Sequence, residues 1–255
     1  YLNTALDEGI QWAFFDRTEL AHDILDEGRR QGALYEVYPE YTFGALGAWA
    51  WGYSRCVDAL LSLGIIDESK IVFTGHSRGG KTVMLAAVMD ERIRYCCPNN
   101  SGCHGAVSHR CVVTEQGEHN KRSERLADML KAFPHWMGKK LTPYADREQD
   151  LPYDMHYFGA LIAPRYYLQC EGLQDYWINP KGAWMNFCGV KEAYRYLGCE
   201  DNAAAWFRPG EHRHKLPDFT QFLEFMQTKL QNLPTAEHLK LTPYPEFTVD
   251  TDWEN

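Results

Sequence analysis

The sequence lacks several features that would place it quickly in a functional class. No stretch of its 255 residues approaches the roughly 18 consecutive apolar residues that a membrane-spanning helix needs, so no membrane association is expected. No cluster of lysine and arginine stands out, and 35 acidic side chains against 26 basic ones give a net charge of −9. That balance disfavours a nucleic-acid surface. Eight cysteines are present, at 56, 96, 97, 103, 111, 170, 188 and 199, but none forms the C-x-x-C pair of common zinc sites. With Cys96 and Cys97 inside an apolar run, the cysteines read as buried free thiols rather than disulfides. There is no internal repeat and no low-complexity tract. No basic-then-apolar leader follows Tyr1, which leaves a secreted, periplasmic or cytoplasmic compartment equally open.

What is present is the composition of a packed domain, with 45% hydrophobic residues. Short apolar runs at 10–15, 71–74, 93–97, 163–170 and 203–207 read as strands. Helical spacing marks 46–63, the stretch from Gly75 to Met89, 183–197 and 219–230, whose apolar face is Phe222, Phe225, Met226 and Leu230. Strands alternating with helices predict an α/β fold, a three-layer sandwich whose mainly parallel sheet is covered on both faces. The segment 101–157 breaks the alternation. It is polar and aromatic-rich, with a helical piece at 121–132, and reads as an insertion at the strand ends, where substrate sites are commonly built. One domain over 1–233 is expected, followed by a proline- and acid-rich tail over 234–255 on the surface.

Gly75-His76-Ser77-Arg78-Gly79 fits G-x-S-x-G. The pattern is common by chance, but here it joins an apolar strand to a helix, as a nucleophile elbow requires. The turn is too tight for flanking side chains, hence the expectation of glycine at 75 and 79. It lifts the serine hydroxyl to a helix N-terminus, where N–H groups favour a developing oxyanion.

A serine hydroxyl needs a base to attack an ester, and the fold supplies partners in the order Ser, then Asp or Glu, then His. Glu171-Gly172-Leu173-Gln174-Asp175 follows the run at 163–170, and Arg208-Pro209-Gly210-Glu211-His212 follows the run at 203–207. Ser77, Asp175 and His212 therefore converge on the carboxyl rim of the sheet. His214 rivals His212, and Glu171 rivals Asp175, which the longer reach of the loop favours; Asp150 and Asp154 lack a preceding strand. His76, His104, His109 and His135 read as polar or pocket-lining residues near the rim.

Gly75-His76-Ser77-Arg78-Gly79-Gly80-Lys81 resembles the S-R-x-G-K motif of the glucuronoyl esterases, carbohydrate esterase family fifteen, within the α/β-hydrolase superfamily. The resemblance runs from about Leu25 to Lys229 and takes in Asn100-Ser101-Gly102, Phe133-Pro134-His135-Trp136 and Asp175-Tyr176-Trp177. It implies a serine esterase cleaving esters of (4-O-methyl-)glucuronic acid in plant cell-wall glucuronoxylan, as a monomer without metal or organic cofactor. It implies Ser77, Asp175 and His212 as the triad, Arg78 as oxyanion ligand, and Lys81, Glu118 and Trp177 as ligands of the carbohydrate ester. A carbohydrate acetyl esterase on the same scaffold is the competing enzyme reading, and an inactive carbohydrate-binding protein the reading from another class. Three departures from the family stand out. Asn100 occupies the place of the fungal members' acid, so the acid must be Asp175. His104 falls where the family has glycine. The family's strands before 10–15 have no counterpart, which puts more weight on Arg78 for the oxyanion or implies an incomplete domain.

Overall fold

Four of the apolar runs become the four strands of one parallel sheet, in a computed structural model that describes residues 2–24, 31–115, 117 and 121–246. The strands are β1 Val72–His76, β2 Tyr95–Asn99, β3 Tyr166–Gly172 and β4 Ala203–Arg208, and their order in the sheet is their order in the chain. All three pairings are parallel, with Phe73 opposite Cys96, Cys96 opposite Tyr167 and Tyr167 opposite Ala203. The helices are α1 Leu2–Asp7, α2 Ala33–Val37, α3 Ala45–Ser62, α4 Arg78–Met89, α5 Leu126–Ala132, α6 His156–Ile162, α7 Pro180–Tyr196 and α8 Leu216–Leu230.

Alternation along the strands sorts side chains to two faces. Phe73, Cys96, Tyr167, Ala203 and Ala205 meet α3, α4, α6 and α7. Tyr95, Cys97, Leu168, Cys170 and Ala204 meet the α8 residues Phe219, Phe222, Phe225 and Met226. This is the expected helix–sheet–helix sandwich, the α/β-hydrolase architecture. A third cluster, around Trp49, Leu126, Met129 and Trp136, joins α3 to the 101–157 segment. All eight cysteines carry free thiols, four of them buried. Among the described residues, no helix is long and apolar enough to cross a membrane.

Three expectations change. Residues 10–15 form no strand. A strand is defined by its ladder, and this run has no hydrogen-bonded neighbour in the sheet; Ile10 and Trp12 lie against the α8 face instead, with the Trp12 ring stacked 5.4 Å from Phe219. The helix expected at 121–132 begins only at Leu126, because residues 121–125 are non-helical and the Arg125 N–H is capped by the Asp128 carboxylate at 3.0 Å. The described part of the tail is not purely superficial: Leu239 is buried against the α8 cluster, and Thr235 is tied to Asp201 by its N–H and its hydroxyl.

Candidate active site

The elbow takes the conformation its glycines permit. Ser77 has φ 57° and ψ −125°, a region that L-residues with a Cβ occupy only under constraint. Its N–H donates to the Asn99 carbonyl at 2.9 Å, and α4 starts at the next residue. A Cβ at Gly75 would lie 2.5 Å from the Gly79 backbone, and one at Gly80 would lie 2.8 Å from Ser101 Cβ. Space around Gly79 itself is open, so the second sterically required glycine is Gly80 rather than Gly79.

The rim brings the three expected residues together. His212 Nε2 stands 3.0 Å from Ser77 Oγ, and His212 Nδ1 stands 2.7 Å from Asp175 Oδ2. The carboxylate accepts at Nδ1, which fixes the tautomer with a free Nε2 lone pair toward the serine. Asn100 donates its Nδ2–H to the same Asp175 oxygen at 2.6 Å. Asn100 thus serves the acid from the position where it could not replace it. Asp175 is 5% exposed, while the His212 side chain is 38% exposed and open to incoming substrate and water.

The competing residues fall elsewhere. Glu171 is buried beneath the rim, where burial and the nearby Asp175 charge push its carboxyl well above the usual range, and it accepts from Gln169 Nε2 at 3.3 Å. Asp154 accepts from the Ser108 hydroxyl and the His109 N–H, and Asp150 pairs with Arg147. The His214 ring lies 6.1 Å from that of His76, while the bond to the serine is made by His212. His104 adopts φ 60°, a conformation suited to glycine. Its Nδ1 is 3.3 Å from His109 Nε2, and burial lowers both pKa values, that of His109 to about 4.

Arg78, the residue after the serine, is held by Asp23 and two aromatic rings. Its Nη1–H donates to Asp23 at 2.7 Å, and its guanidinium lies over Trp136 at 4.8 Å and Phe133 at 5.3 Å. Asp23 also accepts from Trp136 Nε1 and pairs with His135 Nε2. Burial alone would raise the Asp23 pKa; the bonds from Trp136, Arg78 and His135 outweigh it and hold the carboxyl below its usual value. Asp23 engages one of the five N–H groups of the Arg78 guanidinium.

Lys81 lies deeper than its role as a sugar ligand implies. Its side chain is 4% exposed, and its ammonium donates to the carbonyls of Ser101, at 2.6 Å, and Cys103. Its remaining neighbour is Glu124, with Oε2 at 3.7 Å and no hydrogen-bond partner among the described residues. Glu118 lies outside the described residues. Glu124, which the motif reading passed over, is the acid beside Lys81, and its N–H donates to the Trp177 carbonyl at 2.7 Å. The Trp177 ring is 44% exposed under the Arg122 guanidinium. Nothing in residue spacing marks Glu124, because it enters the site from a non-repetitive stretch; the only local signal is an acid just before the short helix α5. Among the described residues, no three His, Cys, Asp or Glu side chains are grouped to hold a metal ion.

A parallel sheet carrying a serine elbow after β1, with its acid on the loop after β3 and its histidine on the loop after β4, defines an α/β-hydrolase of the serine type. Comparison with known proteins gives the family. The model described as glucuronyl esterase of fungi matches residues 1–198, and the chain belongs to the glucuronoyl esterase family. It is similar to a carbohydrate esterase from an unknown prokaryotic organism, at 32% identity over 72% of this chain and 44% of that protein. It is similar to the 4-O-methyl-glucuronoyl methylesterase of Hypocrea jecorina, at 31% identity over 81% of this chain and 45% of that one. Among solved structures, a carbohydrate esterase family 15 glucuronoyl esterase from Caldicellulosiruptor kristjansonii superposes with a TM-score of 0.83 and 30% identity, covering 94% of this chain and 64% of that one. The chain spans about half the length of these curated relatives.

Proposed function

We propose that the protein is a serine carboxylic ester hydrolase that cleaves esters of glucuronic acid, as the names of its relatives suggest, and works as a monomer without a cofactor. The observation that carries the reading is the continuous chain Ser77 Oγ, His212, Asp175, at 3.0 and 2.7 Å. In this reading His212 Nε2 takes the serine proton as Oγ attacks the uronoyl carbonyl. Asp175 stabilises the imidazolium, and Asn100 keeps the carboxylate in place. The N–H of Arg78, at the head of α4, and the free edge of its guanidinium face the developing oxyanion. His212 then protonates the departing alcohol, and water attacking through the same base releases the acid and restores Ser77.

The acyl sugar fits against Lys81, Glu124 and Trp177. A pyranose offers hydroxyls that both donate and accept, and the Lys81–Glu124 pair presents one unsatisfied carboxylate oxygen beside an ammonium. The half-exposed Trp177 ring can cover the apolar face of the sugar. The test is hydrolysis of methyl glucuronate beside a simple aryl acetate. The reading predicts turnover of the uronate ester and a preference for it; preference for the acetate would favour a carbohydrate acetyl esterase, in which no sugar occupies the acyl side.

A further inference from the structure

A second imidazole stands beside the catalytic one and has no part in the proton transfers just described. His76 is the last residue of β1, and its ring centroid lies 4.5 Å from that of His212 with the planes inclined by 38°. Its Nδ1 is 2.7 Å from Asn99 Oδ1. The orientation of that amide is settled by its other end: Asn99 Nδ2 donates to Asp218 Oδ1 at 3.1 Å, and a carboxylate only accepts. Asn99 therefore turns its oxygen to His76, and His76 carries its proton on Nδ1.

The same buried network grips the loop that bears His212. Asp218 also accepts from Arg208 Nε at 2.7 Å and from the Lys215 N–H at 2.7 Å. Arg208 reaches from β4 to the carbonyls of Pro209 and Arg213, on either side of His212. Asn99 receives the Ser77 N–H on its own carbonyl. One set of buried bonds thus fixes the elbow, the His212 loop and the ring between them.

We propose that His76 is a positioning residue for His212: an imidazole, locked through its Nδ1–H by Asn99, that backs the catalytic ring and confines it to the arc between Ser77 and Asp175. The inference rests on the triad reading above. The His212 side chain is 38% exposed, so without a wall behind it the ring is free to rotate away from the serine. Neutrality matters because a cation at this distance would oppose the imidazolium that forms on His212 in each turnover. The groups facing His76 are Asn99 from β2, Asp175 from the loop after β3, and His212 and His214 from the loop after β4. Burial together with His212 and His214 outweighs the Asn99 bond and Asp175, and holds His76 below the ordinary histidine range.

The test compares kcat and KM of His76→Ala and His76→Phe on an aryl acetate, with Ser77→Ala alongside. His76→Ala is expected to lose about ten- to a hundredfold in kcat, the cost of a small misplacement of a reacting group, with KM within about twofold of wild type. His76→Phe restores the wall without the hydrogen bond and is expected to recover to within about threefold. The His212 Nδ1–H proton resonance, shifted downfield by Asp175, should broaden in the alanine variant and sharpen again in the phenylalanine one. Wild-type kcat in His76→Ala, or a phenylalanine variant as slow as the alanine one, overturns the proposal. Should His76→Ala not fold, His76→Gln keeps a donor for Asn99 without the ring, and wild-type kcat there would overturn it equally. An active Ser77→Ala removes the triad reading and the proposal with it. An inactive Ser77→Ala beside a fast His76→Ala removes only the role of His76.

Discussion

The rim of the sheet and the 101–157 segment build the two halves of the site by different means. On the rim, each triad residue and the amide that orients the acid follow a strand: Ser77 after β1, Asn100 after β2, Asp175 after β3 and His212 after β4. Strand registers fix their spacing, and the bonds among them run from 2.6 to 3.0 Å. In the inserted segment, Glu124, His109 and Trp136 come from irregular backbone held by side chains, such as Arg125 on Glu148 and Ser108 on Asp154. The triad therefore stands on the half built from strand ends. Of the side chains proposed to hold the sugar, Glu124 comes from the inserted segment, whereas Lys81 stands on α4 and Trp177 on the loop after β3.

The largest effect belongs to the rim. Ser77→Ala should lower turnover by roughly a million-fold while leaving the melting temperature within about two degrees of wild type; a residual rate of one tenth would place the nucleophile elsewhere. Next comes the acid. Asp175→Asn should cost about ten-thousand-fold by upsetting the His212 tautomer, whereas Asn100→Ala, which removes one bond to the acid, should cost about tenfold. Comparable losses in the two would mean that Asn100 does more than orient Asp175.

Smaller effects separate the inserted half from the rim. Lys81 holds two loop carbonyls, so its removal would disturb any substrate, and Glu124→Gln is the cleaner probe. It should weaken methyl glucuronate hydrolysis by about ten- to a hundredfold, the value of a charged hydrogen bond, and barely change aryl acetate hydrolysis. Equal losses on both would show that Glu124 serves the rim rather than the sugar.

The smallest effect is on stability. The folded pKa of His109 lies at about 4, below the unfolded value near 6.5, so the unfolded chain binds the proton first as pH falls. Its neutral burial therefore contributes fully above about pH 6.5 and is lost progressively down to about pH 4. The difference in melting temperature between wild type and His109→Gln should narrow or reverse across that window. A difference that is constant with pH would mean that His109 titrates normally.

How much could be read from the sequence follows the same division. Ser77, Asp175 and His212 were legible because each closes an apolar run and the fold fixes their order. Glu124 was not, because residues 101–125 have no periodicity to place an acid, and the family motif points instead to Glu118, outside the described residues. The run at 10–15 has a strand's composition, but a strand also needs a neighbour, and hydropathy does not record one. Gly79 looked essential from the motif, yet the crowded backbone is at Gly75 and Gly80. The resemblance implies Lys81 as a sugar ligand but not its burial, which depends on the carbonyls of the loop at 101–103 that the motif does not place.

The central claim is that the Ser77 hydroxyl is a nucleophile activated by His212, and covalent capture tests it most directly. A fluorophosphonate probe should add one label per chain, mapped by peptide mass spectrometry to Ser77. Labelling should be abolished in Ser77→Ala, and slowed at least about a thousandfold in His212→Ala. Labelling at another residue, or undiminished labelling of either variant, would contradict the account.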